Sequence, residues 1–268
     1  DKEHLTFFET KNTILWKRNH QYFGVSVKAG LWHCMHQEAK YFPKDKTTKI
    51  LLTIHDLNFL DKYTGVKRGR KLRKLQKLVN KASGIVYISE ITKKIAEQHM
   101  ELPDVLQKVI YNGVSVLDAN PIKPEFVDGS KAFIFSIGII GEKKNFHVLI
   151  EAMKNIPDLT LYLCGNASSK YADKIRTLIA KHNLEKSVFL TGEISEVEKS
   201  WMYKNCEAFV FPSLNEGFGL PVVEAMHFGK PIVLSKLTSL PEIGGKEATY
   251  LDNFLPDEIA NKIEFAIT

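Results

Sequence analysis

At 268 residues, 44% hydrophobic and 25% charged, the chain has an ordinary globular composition and enough length for two domains with separate cores. No apolar run reaches the length of a membrane-spanning helix, and the opening residues do not read as a signal peptide. Cys34, Cys164 and Cys206 are odd in number and far apart. They argue against a disulfide framework or zinc cluster and for a reducing compartment, read as cytoplasmic.

The formal charge of +6 is modest for this length, so its local distribution matters more than its total. Residues 1–27 carry Leu5, Phe7, Phe8 and Ile14 to Trp16 as candidate core contacts but no obvious first strand. A strand signal runs from Ala29 to His33. Ile50 to Ile54 is a continuous apolar run leading into His55-Asp56, the pattern of a buried parallel strand. Gly65 to Ala82 reads as a helix with Leu72, Leu75, Leu78 and Val79 on one face. Its other face is basic, and no acidic residue falls between Val66 and Ala82. Gly84 to Ile88 is a short strand, and Ser89 is a candidate N-cap for a helix over Glu90 to Met100. Val109 to Tyr111 reads as a small strand ending at the Asn112-Gly113 turn.

Residues 121–131, with Pro121, Pro124, Asp128 and Gly129, read as a linker between an N-terminal domain (1–120) and a C-terminal one (132–268). In the second domain, strands Ala132–Ile137, Leu159–Leu163, Ser187–Leu190, Glu207–Phe211 and Pro231–Leu234 alternate with helices near Phe146–Lys154, Lys170–His182, Ser195–Asn205 and Leu220–Gly229. A further strand is expected at Ala248–Leu251 and a last helix from Pro256. Such alternation predicts an α/β fold with two doubly wound parallel-sheet, Rossmann-like domains, and a ligand cleft between their strand C-termini.

Four pieces fall at strand ends: His33, His55-Asp56, the loop Gly138 to Asn145, and the turn Glu216 to Glu224. The loop places Lys143 and Lys144 beside glycines but is neither a Walker loop nor a G-x-G-x-x-G dinucleotide loop. The turn leads into a helix with Pro221 in its first turn, so the N–H groups of Gly217, Phe218 and Gly219 are available to an anion. Glu216 and Glu224 bracket those amides, and sugar hydroxyls suit carboxylates there better than phosphate does.

The run Asn215-Glu216-Gly217-Phe218-Gly219-Leu220-Pro221-Val222-Val223-Glu224-Ala225-Met226 resembles the E-x7-E signature of retaining glycosyltransferases of family 4, which have the two-domain GT-B fold. The likeness extends through Gly229 to Val233 and Ser239 to Gly245. It also takes in Ser136 to Gly138, Lys144-Asn145, Thr53 to Asp56, Ile88 to Glu90 and Ile110 to Val114. It implies a nucleoside-diphosphate sugar as donor and no metal or other cofactor. Lys144, with Lys143 and Gly138 beside it, would face the donor diphosphate. The amides of Gly217, Phe218, Gly219 and Leu220 would serve sugar and phosphate, Glu216 the transferred sugar, and Glu224 the ribose. His55 would stand beside the anomeric centre. His33, Asp56, Asn112, Gly192 and Ile194 are further cleft candidates, Asp56 equally readable as a carboxylate that fixes its own turn.

Three departures qualify the likeness. Ile139 stands where the family has an arginine. The family's first strand and glycine-rich loop are missing, and the last helix looks short, so a fragment of a longer protein is expected.

The resemblance therefore implies hexosyl transfer with retention to a saccharide or lipid-linked saccharide acceptor in surface polysaccharide synthesis. A non-catalytic nucleotide-sugar binder and a nucleotide-sugar epimerase on the same fold remain alternatives. The basic segment 67–81 has three readings: a solvated face, attachment to an anionic membrane surface, and nucleic-acid binding, the last without a supporting motif. His33, His36 and Glu38 could suggest a metal, but on a strand the two histidines would face opposite sides. His147 and His227 read as structural.

Overall fold

The computed structural model describes residues 25–26, 29–114, 120–129 and 131–268. The expected core contacts between Leu5 and Trp16 lie outside them. Two parallel sheets divide the described chain. The first has the order β1-β2-β3-β4, with β1 Leu31–Cys34, β2 Lys49–Ile54, β3 Gly84–Tyr87 and β4 Leu106–Val109. The second has the order β10-β9-β8-β5-β6-β7. Its strands are β5 Phe133–Ile137, β6 Thr160–Cys164, β7 Val188–Gly192, β8 Ala208–Phe211, β9 Ile232–Ser235 and β10 Thr249–Leu251.

The central strands read as unbroken apolar runs because helices cover both faces. Ile134, Leu161, Leu163 and Val210 point into one layer with the helices His147–Ala152, Lys170–Lys181 and Pro256–Ile267. Phe133, Phe135, Tyr162, Phe209 and Phe211 point into the other, against Met202, Tyr203 and Val222. In the first sheet Leu52, Ile54, Ile85 and Tyr87 pack on Leu75, Leu78 and Val79 of the Gly65–Val79 helix. That helix buries an apolar stripe while Lys67, Arg70, Arg73, Lys74 and Lys77 stay exposed. Ser89 caps the Glu90–His99 helix as expected, its hydroxyl accepting from Thr92 N.

The structure corrects several boundaries. β4 lies at 106–109 rather than 109–111. It is an edge strand whose burial alternates, with Leu106 78% exposed, so it lacks the apolar run that marks buried strands. The one-turn helices Phe59–Lys62 and Leu240–Gly244 were not expected, being too short to show a period. Val127, placed by sequence in the linker, is buried with the second sheet's core.

Candidate active site

The second sheet reverses direction at β5: β6 and β7 lie on one side of it, β8, β9 and β10 on the other. A crevice outside the strand C-termini at such a reversal is the usual ligand position in open α/β sheets. The loops following β5 and β8 carry Lys144 and Glu216, so strand order alone brings together two residues 72 positions apart.

Lys144 reaches this crevice because Gly138 leaves room. A Cβ on Gly138 would lie 2.8 Å from the lysine Cε. The chain turns once as a 3₁₀ helix at Glu142–Lys144, and Asn145 closes it in the left-handed conformation (φ 59°). Lys144 Nζ stands 2.8 Å from Glu216 Oε1 and 4.4 Å from the centre of the Phe211 ring. Lys143 Nζ lies 3.5 Å from the other carboxylate oxygen, and Ser213 Oγ donates to Oε1 at 2.6 Å. Burial pushes the Lys144 pKa below the ordinary lysine value, Glu216 opposes that push, and Lys143 adds to it.

The following turn is shaped from outside. Glu216 N donates to Thr238 Oγ1 at 2.9 Å, and Ser239 Oγ donates to the carbonyls of Glu216 and Phe218. Gly219 takes φ +103° as N-cap of the Leu220–His227 helix, and Pro221 occupies its first turn. The amides of Gly217, Phe218, Gly219 and Leu220 meet no protein acceptor among the described residues. Unpaired donors at a helix N-terminus hold anions.

Glu224 has more protein partners than its sequence role requires. Lys199 Nζ lies 3.0 Å from Oε1, and Tyr203 OH donates to Oε2 at 2.8 Å. Burial, with the neighbouring carboxylate, raises the Tyr203 pKa well above its ordinary value.

The first sheet closes the crevice from the opposite side. A Cβ on Gly217 would lie only 2.3 Å from the carbonyl oxygen of His55, so the glycine permits backbone to meet backbone there. Ser89 Oγ donates to Gly217 O at 2.7 Å. Glu242 Oε1 accepts from Glu90 N at 2.7 Å and Oε2 from Ile91 N at 3.2 Å, capping a helix of the first sheet from the second. Tyr111 hydrogen-bonds Glu242, and its ring lies 5.8 Å from that of buried Phe218. Asn215 donates to Asp61. A cavity of about 160 Å³ lies in this junction, lined by Asp56, Asp61, Arg68, His99 and Glu216 among others.

His55 directs Nε2 to Met35 O at 2.7 Å, donates its backbone N–H to Gln37 Oε1 at 2.9 Å, and stacks on His36 with ring centres 5.2 Å apart. Asp56 accepts from Asn58 N at 2.9 Å, the turn-fixing role the sequence left open. His33 is exposed on β1, with Nε2 2.8 Å from Thr53 Oγ1. Asn112 is half-buried beside Tyr111. Gly165 N donates to Gly192 O at 2.7 Å, and a Cβ on Gly165 would lie 2.0 Å from Gly138 O. Glycines thus line the ends of β5, β6 and β7, and Ile194 packs below them against the core. Ile139 is 75% exposed. His147 bonds Tyr171, in keeping with a structural role. Among the described residues no group of three His, Cys, Asp or Glu side chains is arranged to hold a metal ion.

The sequence reading brought together Lys143, Lys144, Glu216 and the amide turn. It missed Ser213, Thr238, Lys199, Tyr203 and Glu242. Glu242 had one signal, its place in the Ser239 to Gly245 run that accompanies the E-x7-E block.

The family model for glycosyl transferases group 1 matches residues 120–268. The serotype-specific mannosyltransferase WbdA of Escherichia coli is 33% identical over 51% of this chain and 17% of its own length. The O-antigen chain mannosyltransferase RfbU of Salmonella typhimurium is 25% identical over 77% of this chain and 57% of its own. The chain therefore spans only part of these relatives. The crystal structure of Anabaena Alr3699/HepE in complex with UDP and glucose matches with a TM-score of 0.70 and 23% identity, covering 82% of this chain and 62% of that one. At that identity the likeness shows the fold: two Rossmann-like units facing each other, the GT-B arrangement.

Proposed function

The chain belongs to the glycosyl transferases group 1 family, and from that premise we propose that it moves a hexosyl unit, with retention, from a nucleoside-diphosphate sugar to a saccharide or lipid-linked saccharide acceptor in surface polysaccharide synthesis. One observation carries the reading. Lys144, Glu216 and the free amides of the 217–220 turn converge at the sheet's reversal point, with His55 brought against them from the facing unit. Relatives named as mannosyltransferases make mannose the first sugar to test.

In this reading Lys144, with Lys143, and the turn amides neutralise charge on the departing nucleoside diphosphate. They are fixed before reaction, so no reorganisation opposes them, and removing one donor of this kind typically slows reaction about 10²–10³-fold. Glu216 turns to the hydroxyls of the transferred sugar. Glu224 holds the ribose while keeping Lys199 and Tyr203 in place, and His55 borders the anomeric centre. No metal or other cofactor is proposed.

Ile139 supplies the specific reason to keep a second reading, a protein that binds the nucleotide sugar without turning it over. Its exposed side chain offers no cation to the diphosphate.

No described helix is long and apolar enough to cross a membrane. Peripheral attachment through the exposed lysines and arginines of the Gly65–Val79 helix is part of the proposal, since each basic residue near an anionic surface contributes about 1 kcal/mol. Co-sedimentation with anionic vesicles at low salt tests it; no binding there removes it.

The main test incubates the full-length protein with UDP-, GDP- and ADP-sugars and measures release of nucleoside diphosphate. Release stimulated by a saccharide acceptor supports the transferase. Binding without turnover supports the second reading, and isomerised sugar nucleotide would point to an epimerase.

A further inference from the structure

The free amides of Gly217, Phe218, Gly219 and Leu220 belong to successive peptide planes. In a trans peptide the N–H points away from the C=O of the preceding residue, so a hydrogen bond on the carbonyl side sets the direction of the amide. All four carbonyls are held. Ser239 Oγ lies 3.1 Å from Glu216 O and 2.9 Å from Phe218 O, which sets the amides of Gly217 and Gly219. Val222 N donates to Gly219 O at 2.9 Å, which sets the amide of Leu220. Those donors come from the same unit as the turn. Gly217 O is held from the facing unit instead, by Ser89 Oγ at 2.7 Å and Thr92 Oγ1 at 3.3 Å.

The two hydroxyls form a small closed network. Ser89 Oγ accepts from Thr92 N at 3.2 Å and lies 2.9 Å from Thr92 Oγ1, which in turn lies 3.4 Å from His55 O. Each hydroxyl has one hydrogen to give, so two protons serve the carbonyls of Gly217 and His55. Both side chains are buried, Ser89 completely, which leaves water little access to these carbonyls. Without the pair, Gly217 O would be a buried acceptor stripped of its donors, at a cost that favours turning the peptide away. Glycine at 217 opposes such a rotation only weakly. The hydrogen bond from Ser89 is therefore what holds this peptide in register with its neighbours.

We propose that Ser89, backed by Thr92, is a positioning residue of the donor site: from the facing unit it sets the Gly217–Phe218 peptide so that the Phe218 N–H is aligned for a phosphate oxygen of the nucleotide sugar. The phosphate as occupant rests on the transferase reading; the orienting hydrogen bond does not. Three of the four amides are set within their own unit, so the fourth is completed only while the two units touch. By linkage, a phosphate oxygen on Phe218 N–H favours the closed junction by the same factor that closure favours the phosphate. This role is separate from helix capping, because the cap uses the Ser89 oxygen as acceptor whereas Gly217 takes its proton.

Nuclear magnetic resonance of the intact, isotope-labelled chain tests this amide by amide. A hydrogen bond accepted by a carbonyl deshields the nitrogen of the same peptide, so the ligand-free nitrogen shift of Phe218 reads the Ser89 contact directly. The variants are Ser89→Gly, which removes the hydroxyl while keeping a residue suited to a helix N-cap, Thr92→Val, and the two combined. Ser239→Ala is the reciprocal variant. The Phe218 nitrogen is expected to move upfield in Ser89→Gly and further in the double variant, with the Gly217 and Gly219 nitrogens in place. Ser239→Ala is expected to move Gly217 and Gly219 and to leave Phe218. Saturating UDP or GDP should displace the Phe218 amide proton downfield in the unaltered chain and less in the double variant. Half-saturation of the double variant should need about tenfold more nucleotide.

An unmoved Phe218 nitrogen in the double variant overturns the proposal. So does equal movement of Gly217, Phe218 and Gly219, which describes a general loosening of the turn. An unchanged nucleotide response at Phe218 in the double variant overturns it as well. If neither nucleotide displaces any of the three amides in the unaltered chain, the donor reading fails and the phosphate falls with it. The ligand-free shifts still decide the Ser89 contact in that case, so failure of one is not mistaken for failure of the other.

Discussion

Removing the Glu242 carboxylate should loosen the two halves of the molecule without unfolding either. Both its oxygens accept backbone N–H groups at the start of the Glu90–His99 helix, at 2.7 and 3.2 Å. A net hydrogen bond contributes about 0.5–1.5 kcal/mol, and a negative charge at a helix N-terminus about 0.3–1 kcal/mol at exposed sites. The site is open enough for water to satisfy the abandoned amides, so the lower part of the range applies, about 1–2 kcal/mol. That is roughly a 5–30-fold shift toward separated units. Nitroxide labels at Lys94→Cys and Lys246→Cys, both exposed positions on opposite sides of the junction, read the separation directly by pulsed electron resonance. The three native cysteines are buried and free, so labelling is selective. Glu242→Ala should lengthen and broaden the distance distribution, while Glu242→Gln, which keeps one acceptor oxygen, should fall between. Thermal unfolding should change little. An unaltered distribution in Glu242→Ala would show that the Ser89–Gly217 and Asn215–Asp61 contacts hold the junction alone, and would refute the reasoning.

Glu216→Ala should lower turnover about 10²-fold or more with a small change in nucleotide affinity, measured by steady-state rates and calorimetry. Glu224→Ala should weaken nucleotide binding and also cost about 1 kcal/mol of stability, since Lys199 loses one of its two carboxylates and keeps Glu196 at 2.8 Å; denaturant unfolding separates the two effects. Gly165→Ala should destabilise by about 2–4 kcal/mol, because the new methyl meets the Gly138 carbonyl and the residue has φ +131°; a normal melting curve would contradict this. Because burial lowers the Lys144 pKa, the free protein should lose its cation, and with it donor capture, as pH rises through a value below the ordinary lysine range. The kcat/KM profile should show that alkaline limb, and Lys144→Arg should remove it.

What was legible in the sequence follows from how local each signal is. β2 and β5 announced themselves because a strand buried on both faces is apolar at nearly every position, Thr53 and Ser136 being the buried exceptions. β4 did not, because an edge strand with alternating exposure has no such run. The loop and turn of the crevice could be read because glycine, proline and capping chemistry act within a few residues. The partners of Glu224 could not: Lys199 is 25 positions away and Tyr203 is 21, and nothing in either helix marks the face that meets the carboxylate. The Glu242 cap spans about 150 positions and appears only once both sheets are built.

Glu216 and Lys144 neutralise one another while the crevice is empty, which gives the site a two-key character. A lone phosphate can draw the lysine away, but it leaves a carboxylate that is only 10% exposed with the more distant Lys143, at 3.5 Å, in place of its nearer cation. A lone sugar can satisfy the carboxylate but strands a buried ammonium. Only a ligand that carries both groups, covalently joined, compensates both partners together. On the proposed reading, cleaving that join during transfer turns one well-matched ligand into two poorly matched ones, so the reaction itself prepares the site to let its products go.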